Sequence, residues 1–216
     1  MLIPIKQREI DRLIPSVATG GQFGAALGDP RKILQRVMIS SIGGVITLLI
    51  GQSQVASQFY YVWLILGVVF LFYILWGPIL EASRKNSTLK GYSFAALFDG
   101  EISNVYTEER VINQHEQADN QGQLELVKKK RTLMTIELED NDGYLGKISF
   151  PFEKKYSSIR NGLRITCVVF SNYKDFAKIS NVTDAWLPNV RIWVGDYPYL
   201  LRPAFEEYCS LRLKQI

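Results

Sequence analysis

Few side chains in this sequence have the type and spacing that chemistry requires. His115 is the only histidine among 216 residues and lies in a polar stretch, NQHEQADNQ. A metal site there would need a second His or Cys at ligand spacing. None stands near it, so His115 reads as a solvated loop residue. Glu137, Glu139, Asp140 and Asp142 crowd around DNDG, which resembles a fragment of a calcium loop. The twelve-residue spacing and closing Glu of such a loop are missing, and a hairpin turn accounts for the cluster. Lys128–Arg131 (KKKR) offers charge to anionic lipid headgroups or, equally, guards an edge strand against pairing. Cys167 and Cys209 form no CxxC and no disulfide framework, so they read as two reduced thiols. Gly20–Gly28 and Gly43-Gly44 neither follow a strand nor carry a Gly-Lys-Ser/Thr ending, so they are not phosphate loops. A single histidine supports no Ser-His or Cys-His pair. The chain reads as a non-enzyme with no cofactor or metal site.

One soluble stretch has another use. Trp186–Pro203, WLPNVRIWVGDYPYLLRP, sets Trp186, Trp193, Tyr197 and Tyr199 among three prolines. It reads as a core strand, Val190–Val194, followed by a proline-stiffened turn. It also reads as a docking loop through Trp193, Tyr197 and Tyr199, because rings already held in place lose little entropy on binding and anchor interfaces well. Amphipathic rings of this kind also rest well on a membrane interface.

What must position these residues begins with an uncharged stretch. Charged residues make up 21% of the chain, yet Val37–Leu80 contains no Asp, Glu, Lys, Arg or His. A polar middle, Gly51–Gln58, separates two apolar blocks, Ile33–Ile50 and Phe59–Leu80. A spanning helix takes about 20 apolar residues, so the stretch predicts a transmembrane hairpin of two helices. Ser40, Gly44, Thr47 and Gly51 fall on one stripe of the first helix, a pattern that permits close helix contact in lipid. Its partner is the second span or a helix of another membrane protein. Phe59, Tyr60, Tyr61 and Trp63 mark one interface, and Phe72, Tyr73 and Trp76 the other. Basic residues flank both outer ends and none lies in the connecting turn, so both termini are expected on the cytoplasmic side. The lack of ionisable groups inside either span argues against a transport path through this chain alone.

Asp29-Pro30 opens the first helix, with Asp as N-cap and Pro in the first helical position. Ahead of it, Met1–Pro15 reads as a short amphipathic piece suited to a membrane interface or as a plain N-terminal arm, and Ser16–Gly28 as a loop. The net charge is +4, but six basic against three acidic residues up to Arg36 account for most of it. The nearly neutral remainder argues against nucleic-acid binding.

From Gly91 onward short alternating runs with turn signals predict an all-β module. Strands are expected near Tyr92–Phe98, Ile102–Glu108, Leu124–Lys130, Leu133–Leu138, Tyr144–Phe150, Arg164–Phe170 and Val190–Val194. Turns fall at Asp99-Gly100, Asp140–Gly143 and Asn161-Gly162, and Gln114–Gln123 reads as a mobile loop. A helix over Arg202–Ile216 closes a small barrel or strongly bent sheet. The expected organisation is an arm over 1–30, a hairpin over 31–85 and a β-rich soluble domain over 90–216.

Three segments, IPSVATGGQFGAALGDPRK, the uncharged hairpin and WVGDYPYLLRPAF, resemble a family of small cyanobacterial and plastid two-span membrane proteins often labelled phosphate ABC transporter permease. The resemblance covers essentially the whole chain and brings no activity. The label fits these residues poorly, because such permeases have more spans and a cytoplasmic coupling loop. The layout is similar to that of a photosystem I assembly factor family, in architecture only. That likeness implies a thylakoid membrane with the β domain on the stromal or cytoplasmic face. The function so implied is non-enzymatic assembly of, or accessory service to, a photosynthetic complex, probed by its photosystem partners. The alternatives are a small transporter subunit and a lipid-binding membrane scaffold. Contact of pigment or lipid with the hairpin is compatible with any of these.

Overall fold

A computed structural model describes residues 1–53, 58–118, 124–139, 143 and 145–212, with side chains described except at 112–129 and 145. In chain order the elements are β1 (Leu2–Pro4), α1 (Gln7–Leu13), α2 (Gly20–Leu27), α3 (Pro30–Ser53), α4 (Tyr60–Leu71) and α5 (Tyr73–Lys90). Then come β2 (Phe94–Ala118), β3 (Leu124–Glu139), β4 (Leu145–Pro151), a 3-10 turn (Lys154–Ser158), β5 (Arg164–Ser171), β6 (Asn181–Leu187), β7 (Ile192–Val194) and α6 (Arg202–Arg212). They form two compact units. One comprises Met1–Leu13 with Tyr92–Ile216, and the other Ile14–Gly91.

The first unit is an antiparallel sheet in the order β4-β3-β2-β5-β6-β7, curved into a half-barrel, with β1 paired to β2 beside that path. β5 is buried on both faces. Ile165, Cys167 and Val169 face a core with Phe98, Ile136, Leu138 and Phe150. On the other face Cys209 of α6 packs at Thr166, with Sγ 3.9 Å from its hydroxyl. α6 in turn is tied to α1, where Arg212 Nη2 donates to Glu9 Oε1 at 2.8 Å. Each fully buried Phe or Ile contributes about 1.5–3 kcal/mol through burial, and Phe98, Phe150, Phe170 and Phe205 are among them. The closing helix and the β-rich domain thus match expectation.

Several boundaries do not. Asp99-Gly100 is no turn but the interior of β2, which runs 25 residues without a break. Gly100 is required there because β3 ends against it: a Cβ would lie 2.5 Å from the Glu139 carbonyl. Asp99 holds Arg164 through two bonds of 2.7 and 2.8 Å. The two expected strands Leu124–Lys130 and Leu133–Leu138 are likewise one strand, β3. Of the expected loop Gln114–Gln123, residues 114–118 continue β2, and 119–123 lie outside the described residues. Asp140–Asp142 also lie outside them, whereas Asn161-Gly162 does turn, with Gly162 at φ +78°. β6 had no counterpart in the sequence reading. The expected arm over 1–30 is divided: Leu2–Pro4 pairs with Phe98–Ala96 as a strand, and Gly20–Leu27 is a helix.

The second unit is helical. α2 begins at a capping box in which the Thr19 hydroxyl accepts the Gln22 N–H at 3.4 Å and Gln22 Oε1 accepts the Thr19 N–H at 3.2 Å. Gln22 and Asn86 of α5, both fully buried, exchange two amide hydrogen bonds of 3.2 and 3.0 Å. Asn86 also donates to the Pro15 carbonyl at 2.9 Å. A buried amide is tolerated only when its bonds are made, and this pair makes them. Asp29 caps α3 by accepting the Arg31 N–H at 3.0 Å, as its sequence predicts.

Candidate functional site

The helical hairpin is positioned by the stripe read from the sequence. Along α3 the buried residues are Arg36, Ser40, Gly44, Thr47 and Gly51, and the face from Ser40 to Gly51 is covered by α4. Gly51 abuts Trp63, whose Cβ would lie 3.3 Å from an added Cβ. Gly67 of α4 stands against the Thr47 hydroxyl, with 3.1 Å available. Ser40 donates to the Leu71 carbonyl at 2.5 Å, while Thr47 returns its proton to carbonyls of its own helix. Ser40, Gly44, Thr47 and Gly51 thus pack against α4, in the second apolar block of the same chain.

The second apolar block is not one straight helix. α4 ends at Leu71 and α5 begins at Tyr73, at 71° to it. At the break Phe72 still donates to Val68 O, but Leu75 N–H returns to Phe72 O at 2.9 Å, three residues back. The carbonyls of Val69 and Leu71 are taken up by side chains, Trp76 Nε1 at 2.9 Å and the Ser40 hydroxyl. Among the described residues α3 is the one helix that qualifies by length and composition to cross a membrane, and α4 with α5 qualifies only as a bent pair. Gly77 and Pro78 lie buried within α5.

Where the hairpin meets its polar base, Glu81 gathers three cations: Lys32 at 2.5 Å, Arg36 at 2.6 Å and Lys85 at 3.5 Å. Arg36 is 5% exposed, and its second nitrogen donates to Ala26 O at 3.1 Å. The basic flanks counted in the sequence are thus partly neutralised by one carboxylate.

In the β unit the aromatic stretch is built into the domain. Trp193 lies between Trp186 and Phe205, with centroids 5.4 and 5.5 Å away. Its Nε1 donates to Glu206 at 3.0 Å, and Arg202 sits over the ring. Tyr197 is 7% exposed and packs edge-on against Tyr199 at 4.7 Å. Trp193 and Tyr199 are thus half-buried in ring contacts of the domain, and Tyr197 is buried.

Tyr197 and Tyr199 do line a cavity of about 530 Å³, together with Lys147, Ser149, Asn181 and Asp184. β4 and β7 are the two ends of the sheet path, so the cavity lies in the seam where the half-barrel stays open. A register shift between Cys167 and Val169 gives β6 a bulge there. Val168 N–H turns to the Thr183 hydroxyl at 3.1 Å instead of a backbone carbonyl. The bulge buries Asp184, which is 3% exposed. Its Oδ1 accepts the Leu200 N–H at 3.0 Å, and its Oδ2 has no hydrogen-bond partner among the described residues. Burial raises the Asp184 carboxyl to about 7, against the lowering effect of that N–H and of Arg202.

The sign follows from which state holds the proton. Between about pH 4 and 7 the folded chain keeps a proton that the unfolded chain has lost. The stability this group adds is complete at low pH and fades as pH rises through about 7. Asp184→Asn removes the dependence. At pH 8 the variant is expected to exceed the parent by about 4 kcal/mol, with the gap closing toward pH 4. Urea denaturation of full-length protein in detergent at both pH values measures it, and a pH-independent difference would contradict the assignment.

The other candidates are inert or lie elsewhere. Burial pushes the Cys209 thiol up to about 12 and Cys167 higher still, so neither supplies a thiolate. Glu137 is paired with Lys147 at 2.7 Å, and Lys130 with Glu109 at 3.0 Å. The side chains of His115, Lys128 and Lys129 lie outside the described residues. Among the described residues no three His, Cys, Asp or Glu are grouped to hold a metal. Sequence reasoning missed Asp184, since one acid in NVTDAWL carries no sign of burial. It missed α2 despite a legible signal, Thr19 and Gln22 at capping-box spacing.

What the fold and these sites define is a half-barrel β domain with a closing helix, carrying a helical hairpin whose first helix is long and apolar. The chain belongs to the Family of unknown function (DUF8619), whose model matches residues 3–214. No curated protein and no solved structure matches it.

Proposed function

We propose that the protein is a non-enzymatic assembly or accessory protein of a larger membrane complex, held in the bilayer by its hairpin and offering its β half-barrel at the membrane face. The observation that carries this reading is the outer surface of the hairpin. Met38, Ile42, Val45 and Leu49 of α3, and Val62 and Ile65 of α4, are each at least half exposed. Soluble proteins rarely leave so continuous an apolar surface in water, whereas lipid is its natural solvent. The basic flanks favour both termini on the cytoplasmic or stromal face.

The resemblance noted from the sequence supports a photosynthetic complex, with a photosystem as partner and the thylakoid as the membrane. Tagged protein purified from thylakoids in mild detergent is expected to bring photosystem subunits with it. Recovery without any subunit of a photosystem or other membrane complex would overturn the reading.

A further inference from the structure

Resting on the membrane reading above, we propose that the hairpin is re-entrant: it enters the bilayer from the face that carries both termini, ends inside it and returns. The first two turns of α5 then lie along the headgroup boundary, with lipid as their partner.

Length decides first. α4 has 12 residues, a leg of about 18 Å. α5 departs at 71°, so its apolar start, Tyr73–Leu80, adds only about 4 Å along the same direction. The uncharged part of α3, Val37–Ser53, rises about 26 Å. The shorter leg, α4 with the start of α5, limits how deep the hairpin can reach, and it falls well short of a hydrocarbon core of about 30 Å.

Polarity decides second. The residues at the far end of the hairpin, Gln52, Ser53 and Gln58, are exposed and uncharged. Placing such groups within a bilayer costs far less than placing a charge there.

The break itself is finished for lipid. Inside a bilayer every freed carbonyl needs a protein donor, and Trp76 and Ser40 supply donors to Val69 and Leu71. Beyond it, Phe72, Leu75 and Ile79 are exposed at i, i+3 and i+7, one apolar face. Arg84, Ser87 and Thr88 follow as exposed polar residues. Tyr73 and Trp76, in edge-on contact at 4.7 Å, suit this start of α5 to the headgroup level, where Tyr and Trp prefer to lie.

Single cysteines introduced by Gln58→Cys and Ser87→Cys into full-length protein in sealed membrane vesicles test the proposal. A membrane-impermeant maleimide is applied to right-side-out and to inverted vesicles, then after detergent, and each signal is read against the parent. Ser87→Cys is expected to label from one face only, and Gln58→Cys from neither until detergent is added, when labelling rises about tenfold. Labelling of Gln58→Cys from the face opposite Ser87→Cys would mean a full crossing, and labelling from the same face would mean no insertion. Either result overturns the proposal. Alkaline carbonate washing of the same vesicles separates this from failure of the membrane reading, since a peripheral protein would be released.

Discussion

Gly195→Ala is expected to destabilise the protein by about 3–5 kcal/mol. Gly195 sits at φ +147°, and a Cβ there would lie 2.8 Å from Asp184 Cβ and 2.9 Å from Asp184 Cα. The second distance matters more, because a backbone atom of β6 cannot turn aside as a flexible side chain can. Backbone strain and overpacking therefore act together. Gly162→Ala separates them, since Gly162 has φ +78° with open space around it, and it should lose only about 1 kcal/mol. Urea midpoints of the full-length proteins in detergent measure both. Equal losses would show that the approach of Gly195 to β6 is not the cause.

Glu81→Ala is expected to cost about 3 kcal/mol and to loosen the base of the hairpin. The reason lies in what it leaves behind. The Arg36 side chain is only 7% exposed and would retain a single carbonyl partner, Ala26, for a charge already out of water. Lys85, with its side chain 37% exposed and 3.5 Å from Glu81, should lose no more than about 1 kcal/mol when replaced by alanine. Replacing both members of the buried pair, Arg36→Met with Glu81→Leu, is expected to recover most of the loss, because the cost is that of an orphaned charge. Thermal unfolding and protease resistance in detergent rank the four proteins. A Glu81→Ala variant as stable as Lys85→Ala would refute this account.

Legibility from sequence followed the length scale of the cause. The stripe Ser40, Gly44, Thr47 and Gly51 was readable because helical period alone sets which residues share a face, and the Asp29-Pro30 start because a cap is local. The break at Phe72 was not. Hydropathy is uniform through Phe59–Leu80, and the residues that signal a break, Gly77 and Pro78, lie inside α5. What completes the break, Ser40, comes from 31 residues away. In the β domain Asp99-Gly100 has the composition of a turn, yet Gly100 answers to a close approach by β3 and Asp99 to Arg164. Those neighbours are set by tertiary pairing, so no local pattern announces them. The aromatic stretch near Trp193 was recognisable as special, but composition could not tell rings packed inward from rings held out. Asp184 shows the same limit for charge.

The pairing of β1 with β2 sets a rule of parity. Leu2–Pro4 lies against Ala96–Phe98, so the sheet holds chain from both before and after the helical unit. Whatever path residues 14–91 take through a bilayer, they must come back to the leaflet they left, which permits zero or an even number of crossings and forbids one. It also fixes an order of events during synthesis. β1 emerges first but has no strand to join until residues 5–93 have been made, so the half-barrel can close only after the whole helical unit has been synthesised.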